Sequence, residues 1–263
     1  MKNLAKSVGV LSAAVAFGAG SALAAPATGA QSLPTGSLGD SLGGDTCGEQ
    51  VVTPETLANS GWGAPEDENA AEIAAVEGAP EEVGTAALTF EEGPENGTSL
   101  YKDAERMPLD ELLEDGAPVP MSYQYTSDGQ APALQIRLNN ASVPETEDGA
   151  GFATIVWSPA DGDGTWQEAD PADSDQFWAT RDIEDADGET VLPRGERTTL
   201  EEIVGMNPDA VVTEYGVQKT RDNTTEGVAI DDFTFGCETT DFELDADEED
   251  GGPLGSLTDI FSS

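Results

Sequence analysis

Three stretches of this chain alternate apolar and polar residues with a period of two, and that pattern decides what it can fold into. Met121, Tyr123 and Tyr125 alternate with Ser122, Gln124 and Thr126; Leu134, Ile136 and Leu138 alternate with Gln135 and Arg137; Val211, Thr213, Tyr215 and Val217 alternate with Val212, Glu214 and Gly216. Successive side chains of a strand point to opposite faces, so each stretch reads as a strand with one buried face. Ser127-Asp128-Gly129 supplies a turn between the first two. Ala86 to Phe90, Phe152 to Trp157, Gln176 to Ala179 and Val228 to Phe235 are further strand candidates, separated by clusters of Gly, Pro, Asn and Asp.

Helical signals are sparse. Pro108 to Leu113 suits one or two turns. Thr199-Leu200-Glu201-Glu202 is a capping box, in which the Thr199 hydroxyl accepts from the Glu202 amide and Glu202 reaches back. That helix runs on through Ile203 and Val204 and stops at Asn207-Pro208. The expected fold is all-β: an antiparallel β-sandwich over residues 46–244 with one or two short helices, compatible with one domain.

The flanking segments lack this periodicity. Lys2 and Lys6, the apolar run from Val8 to Phe17, and Ala22-Leu23-Ala24 have the three-part layout of a secretory signal, which places cleavage after residue 24. The run is shorter than the ~20 apolar residues a spanning helix needs, and no later segment is apolar enough, so no membrane span is expected. Residues 25–45, rich in Gly, Ser, Ala and Pro, read as a flexible linker. Residues 245–263 read as an acidic, disordered tail carrying Leu254, Leu257, Ile260 and Phe261.

Charge and residue usage exclude several functions. With 53 acidic against 10 basic residues the net charge is −43, which repels nucleic acid and anionic lipid and attracts cations. The sequence contains no histidine, so Ser-His-Asp and Cys-His nucleophiles and His-ligated zinc are excluded. Serine-nucleophile and phosphate-loop motifs are absent, and paired carboxylates say nothing in so acidic a chain; a non-enzymatic protein is expected. Cys47 and Cys237, the only cysteines, are expected to pair in an oxidising exterior.

Val228-Ala229-Ile230-Asp231-Asp232-Phe233-Thr234-Phe235 resembles the last-strand motif of secreted jelly-roll (concanavalin-like) sandwiches: carbohydrate-binding modules, laminin-G-like domains and MAM domains. Cys237 shortly after it is similar to the MAM arrangement, and Ser60-Gly61-Trp62 resembles the early G-W of these families. The resemblance implies a jelly roll and, in several of these families, a structural calcium ion. Its oxygens would come from Asp231 or Asp232 and from Glu49 or Glu55 near the first strand. Adjacent strand residues point to opposite faces, so only one of the two aspartates is expected to reach such a site.

Asp161-Gly162-Asp163-Gly164 has the opening of a calcium loop, but position 12 of that loop is Ala172, so a tight turn is the better reading. Tyr123, Tyr125, Trp157, Trp166 and Trp178 are either core residues or a sugar-stacking platform. The functional expectation is a secreted binding domain acting at or outside the cell envelope on glycan or protein. A structural protein of the cell surface and a carbohydrate-active enzyme are the rival readings, and the oligomeric state is left open.

Overall fold

The computed structural model describes residues 48–66, 68–80, 83–90, 97–144 and 151–245. All of them lie in one compact unit, Asp45–Ser263. The expected signal, linker and acidic tail therefore lie outside the described residues, the first residue of the tail excepted.

Among the described residues, eighteen strands and one α-helix follow in order. They are β1 (Gly48–Val52), β2 (Trp62–Gly63), β3 (Asn69–Ala70), β4 (Glu72–Ala75), β5 (Ala86–Phe90) and β6 (Thr98–Pro108). Next come β7 (Leu113–Glu114), β8 (Ala117–Pro118), β9 (Met121–Thr126), β10 (Ala133–Asn139), β11 (Ala153–Trp157) and β12 (Trp166–Ala169). The last group is β13 (Trp178–Ala179), β14 (Ile183–Glu184), β15 (Thr190–Leu192), α1 (Leu200–Met206), β16 (Val211–Lys219), β17 (Val228–Phe235) and β18 (Glu238–Phe242). The protein is an all-β sandwich of two seven-stranded sheets. In one the order is β1-β18-β17-β5-β4, with β9 and then β12 continuing from β17; in the other it is β13-β11-β10-β16-β6-β2, with β3 also on β6. Pairing is antiparallel except for β1 with β18 and β3 with β6.

Period-two alternation does what it should. On β9, Met121, Tyr123 and Tyr125 are buried while Ser122, Gln124 and Thr126 are half-exposed. Aromatic rings join the sheets: Trp62 meets Phe233 edge-on at 5.3 Å, and Tyr215 stacks on Phe235 at 3.8 Å. Such pairs add about 0.5–1.5 kcal/mol each beyond the area they bury. Gly216 permits close pairing of β16 with β6, because a Cβ there would stand 2.1 Å from the Leu100 carbonyl oxygen.

Helix α1 is capped as expected, the Glu202 amide donating to Thr199 Oγ1 at 3.2 Å. The return contact differs: the Glu202 carboxylate accepts from the Thr198 hydroxyl. The expected helix at Pro108–Leu113 is reduced to a 3₁₀ turn at Leu109–Leu112, because Pro108 closes β6 and Leu113 opens β7. Among the described residues no helix is long and apolar enough to cross a membrane.

Candidate functional site

Two places gather polar side chains. The first is a carboxylate cluster on the last two strands. Asp231, Asp232 and Asp241 bring carboxylate oxygens within 4.8 Å of one another. A β-bulge creates it: Asp231 pairs with Gln124 and Thr234 with Ser122, so two residues of β17 face one of β9. Asp232 takes up the extra length at φ 50°. Strict alternation would send the two aspartates to opposite faces, as expected from the sequence; the bulge corrects that, and Asp232 joins Asp231 beside Asp241. Phe233 and Phe235 still return to the core.

Asp231 is fully buried, at 0 % exposure. Its Oδ1 accepts from the Phe242 amide at 2.8 Å, whereas its Oδ2 has no hydrogen-bond partner among the described residues. Burial pushes the Asp231 carboxyl up to about 8; the Phe242 amide opposes this, and the Asp241 and Asp232 charges add to it. Asp241 rises to about 6 through burial, then through Glu243, Asp232 and Glu49. A buried carboxylate oxygen without a donor is costly unless a cation or proton meets it. An all-oxygen set beside further carboxylates suits a hard divalent cation.

Of the early acidic candidates, Glu49 is exposed but close enough to raise Asp241. Glu55 is exposed, is not a member of the cluster, and is corrected. Asp241 takes the place in the cluster offered to them. Sequence reading missed it because it sits in an acidic run where no single carboxylate stands out. Cys237 lies in the turn from β17 to β18 and is not a free thiol. Its carbonyl accepts from the Gly48 amide at 2.9 Å, while Cys47 itself lies outside the described residues.

The loop at Asp161–Gly164 is irregular, bending at Gly164, and is not the tight turn expected, because it links β11 of the second sheet to β12 of the first. Asp163 Oδ1 accepts from the Thr165 amide, the Thr165 hydroxyl and Gln167 Nε2, which hold its carboxyl below the usual range.

The second place is a groove of about 820 Å³ on the outer face of the second sheet. Its floor is the outward-facing row of the strands: Gln135 and Arg137 from β10, Thr154 and Val156 from β11, Trp178 from β13 and Gln218 from β16. Outward residues of a sandwich are normally solvated, yet Gln135, Thr154 and Val156 are only 8, 6 and 3 % exposed. A chain of side-chain hydrogen bonds pins the floor. Tyr101 Oη donates to Gln135 Oε1 at 2.8 Å, Gln135 Nε2 to Gln218 Oε1 at 2.7 Å, and Gln218 Nε2 to Glu68 Oε2 at 2.7 Å. Arg137 pairs with Glu214 at 2.9 Å and Glu68 at 3.6 Å, and lies over the Tyr101 ring.

Of the two readings of the aromatic residues, the core one holds for three of the five, and no platform assembles. Tyr123, Tyr125 and Trp157 are buried, because their strand positions face the opposing sheet. Trp166, half-buried, belongs to the first sheet, and Trp178 alone of the five lines the groove. Glu68, Gln135, Arg137 and Gln218 were not singled out in the sequence; the only available signal was that they occupy the polar positions of strands or their flanks.

Comparison with protein-family models, with curated proteins and with solved structures gives no match for this chain.

Proposed function

We propose that this chain is an exported, non-enzymatic, jelly-roll-like domain of the carbohydrate-binding type, and that its ligand is a glycan held in the groove of the second sheet. The observation that carries the reading is the pinned amide ladder Gln135–Gln218–Glu68 on the floor of a recess that also holds Trp178. Amides and carboxylates fixed by their neighbours present donors and acceptors at set positions, which suits hydroxyl-rich ligands. An aromatic ring offers its negative face to sugar C–H edges. Order in the free state lowers the entropic cost of binding.

The carboxylate cluster has a structural part in this proposal. Asp231, Asp232 and Asp241 would hold one calcium ion, which neutralises charge that burial otherwise penalises and ties β17 to β18. A Cys47–Cys237 disulfide would act nearby, since the Gly48 amide is bonded to the Cys237 carbonyl. Retention on immobilised glycans tests the function. The native chain should bind at least one glycan class, and Trp178→Ala and Gln218→Ala should each weaken binding about tenfold, as removal of a buried contact does. Absence of binding to every glycan class, or variants that bind as the native chain does, would overturn it.

A further inference from the structure

Resting on the proposed glycan-binding role of the groove, we infer that its ligand is an acidic glycan, with a uronate carboxylate held by Arg181 and Arg194. Both residues line the groove. The β14–β15 hairpin brings them there: Ile183 pairs with Leu192, and the Arg194 amide donates to Asp182 Oδ1 at 2.7 Å. Continuing that pairing two residues outward sets Arg181 opposite Arg194 at the open end of the hairpin.

Neither guanidinium makes an ion pair among the described residues. The ion pairs there join Lys102 to Glu238, Arg137 to Glu68 and Glu214, and Arg221 to Asp222. Arg106 and Arg197 likewise make no ion pair among the described residues, so what sets Arg181 and Arg194 apart is that both line the groove. Asp182 is close, but its Oδ1 is occupied by the backbone amide of Arg194. Arg137 behaves differently. Its charge is met by Glu68 and Glu214, and its Cζ lies 4.7 Å from the centre of the Tyr101 ring and 5.5 Å from that of Phe152. The floor cation is thus spent on rigidity, while the two on the wall keep their charge for something brought from outside.

A carboxylate suits them best. The guanidinium fork matches its two coplanar oxygens, and such pairs are stronger than neutral hydrogen bonds. The ligand is polymeric, because the recess continues. A neighbouring hollow of about 620 Å³ shares Gln130 and Ser158 with the groove and carries Arg197. The acidic remainder of the surface repels a polyanion, so recognition rests on these few cations.

Binding of the full mature chain to polygalacturonate, to the same polymer after carboxyl reduction, to dextran sulfate and to polyglutamate tests the inference. Native protein should prefer polygalacturonate to the reduced polymer about tenfold or more, and Arg181→Gln with Arg194→Gln should remove that preference, as loss of charge-assisted bonds predicts. Unchanged thermal melts of that variant would show that the fold is intact. Equal binding of the two glycans, with sensitivity to Trp178→Ala, would overturn the inference and leave the glycan-binding function standing. Failure of both glycans would overturn both. Equal or tighter binding of dextran sulfate or polyglutamate would overturn the uronate assignment.

Discussion

Replacing Asp231 with Asn removes the buried charge of the carboxylate cluster and keeps its shape. The Asn oxygen can still accept from the Phe242 amide, and its Nδ2 can donate towards the neighbouring carboxylates. In the cation-free protein the Asp231 carboxyl is pushed up to about 8, against ~3.9 in an unfolded chain. The folded state therefore binds the proton more tightly than the unfolded state. The stability this contributes is fully present below about pH 4 and is lost as pH rises towards 8. At ~1.4 kcal/mol per unit, the loss by pH 7 is on the order of 4 kcal/mol, an upper value for a group that can relax. Asp241, facing Asp232, Glu243 and Glu49, acts in the same direction over a narrower window, up to about pH 6.

The variant carries no such group at position 231. In chelator at pH 7 to 8 it should therefore melt above the native protein, the reverse of the usual outcome for a buried substitution. In calcium the gap should narrow by ~2.7 kcal/mol at about a hundredfold excess over Kd and should invert beyond roughly a thousandfold excess (~4.1 kcal/mol), because only the native cluster gains by mass action. Melts of both proteins at pH 5, 7 and 8, in chelator, in calcium and in matched sodium chloride, measure this. A variant less stable than native protein in chelator at pH 8 would refute the desolvation argument. Identical calcium and sodium chloride curves would refute the cation site.

Gly216→Ala should destabilise by about 3 kcal/mol or abolish folding, because the new methyl would meet the Leu100 carbonyl oxygen and the backbone of β6; urea denaturation reads this directly. Thr199→Ala should cost about 1 kcal/mol through loss of the cap on the Glu202 amide, seen as a lower denaturation midpoint at unchanged slope. Cys47 and Cys237 should be recovered as one linked peptide by mass mapping under non-reducing conditions, and two free thiols from native protein would remove the proposed bond.

Much of the sandwich was legible because a half-buried strand must alternate. β9 keeps that period and β10 sets Leu134, Ile136 and Leu138 on the core side, whereas a bulge in β16 buries Val212 in place of the expected Val211 and Thr213 and a bulge at Asp232 interrupts β17; the capping box of α1 is likewise a local signal. β6 escaped notice: its buried start includes Thr98 and Ser99, and positive φ at Glu105 and Arg106 breaks its period. Short strands such as β1, β2 and β3 hold too few residues to show a pattern and exist only through their partners. The chain by itself determined an acidic all-β domain without histidine chemistry, since composition and period two are properties of residues in order. Tertiary structure alone decided which polar residues matter. A bulge turned two adjacent aspartates towards Asp241, sheet pairing set Gln135 beside Gln218, and a hairpin carried two arginines to a groove wall. Each of these depends on partners distant along the chain, and a carboxylate, amide or guanidinium acquires its role from what surrounds it.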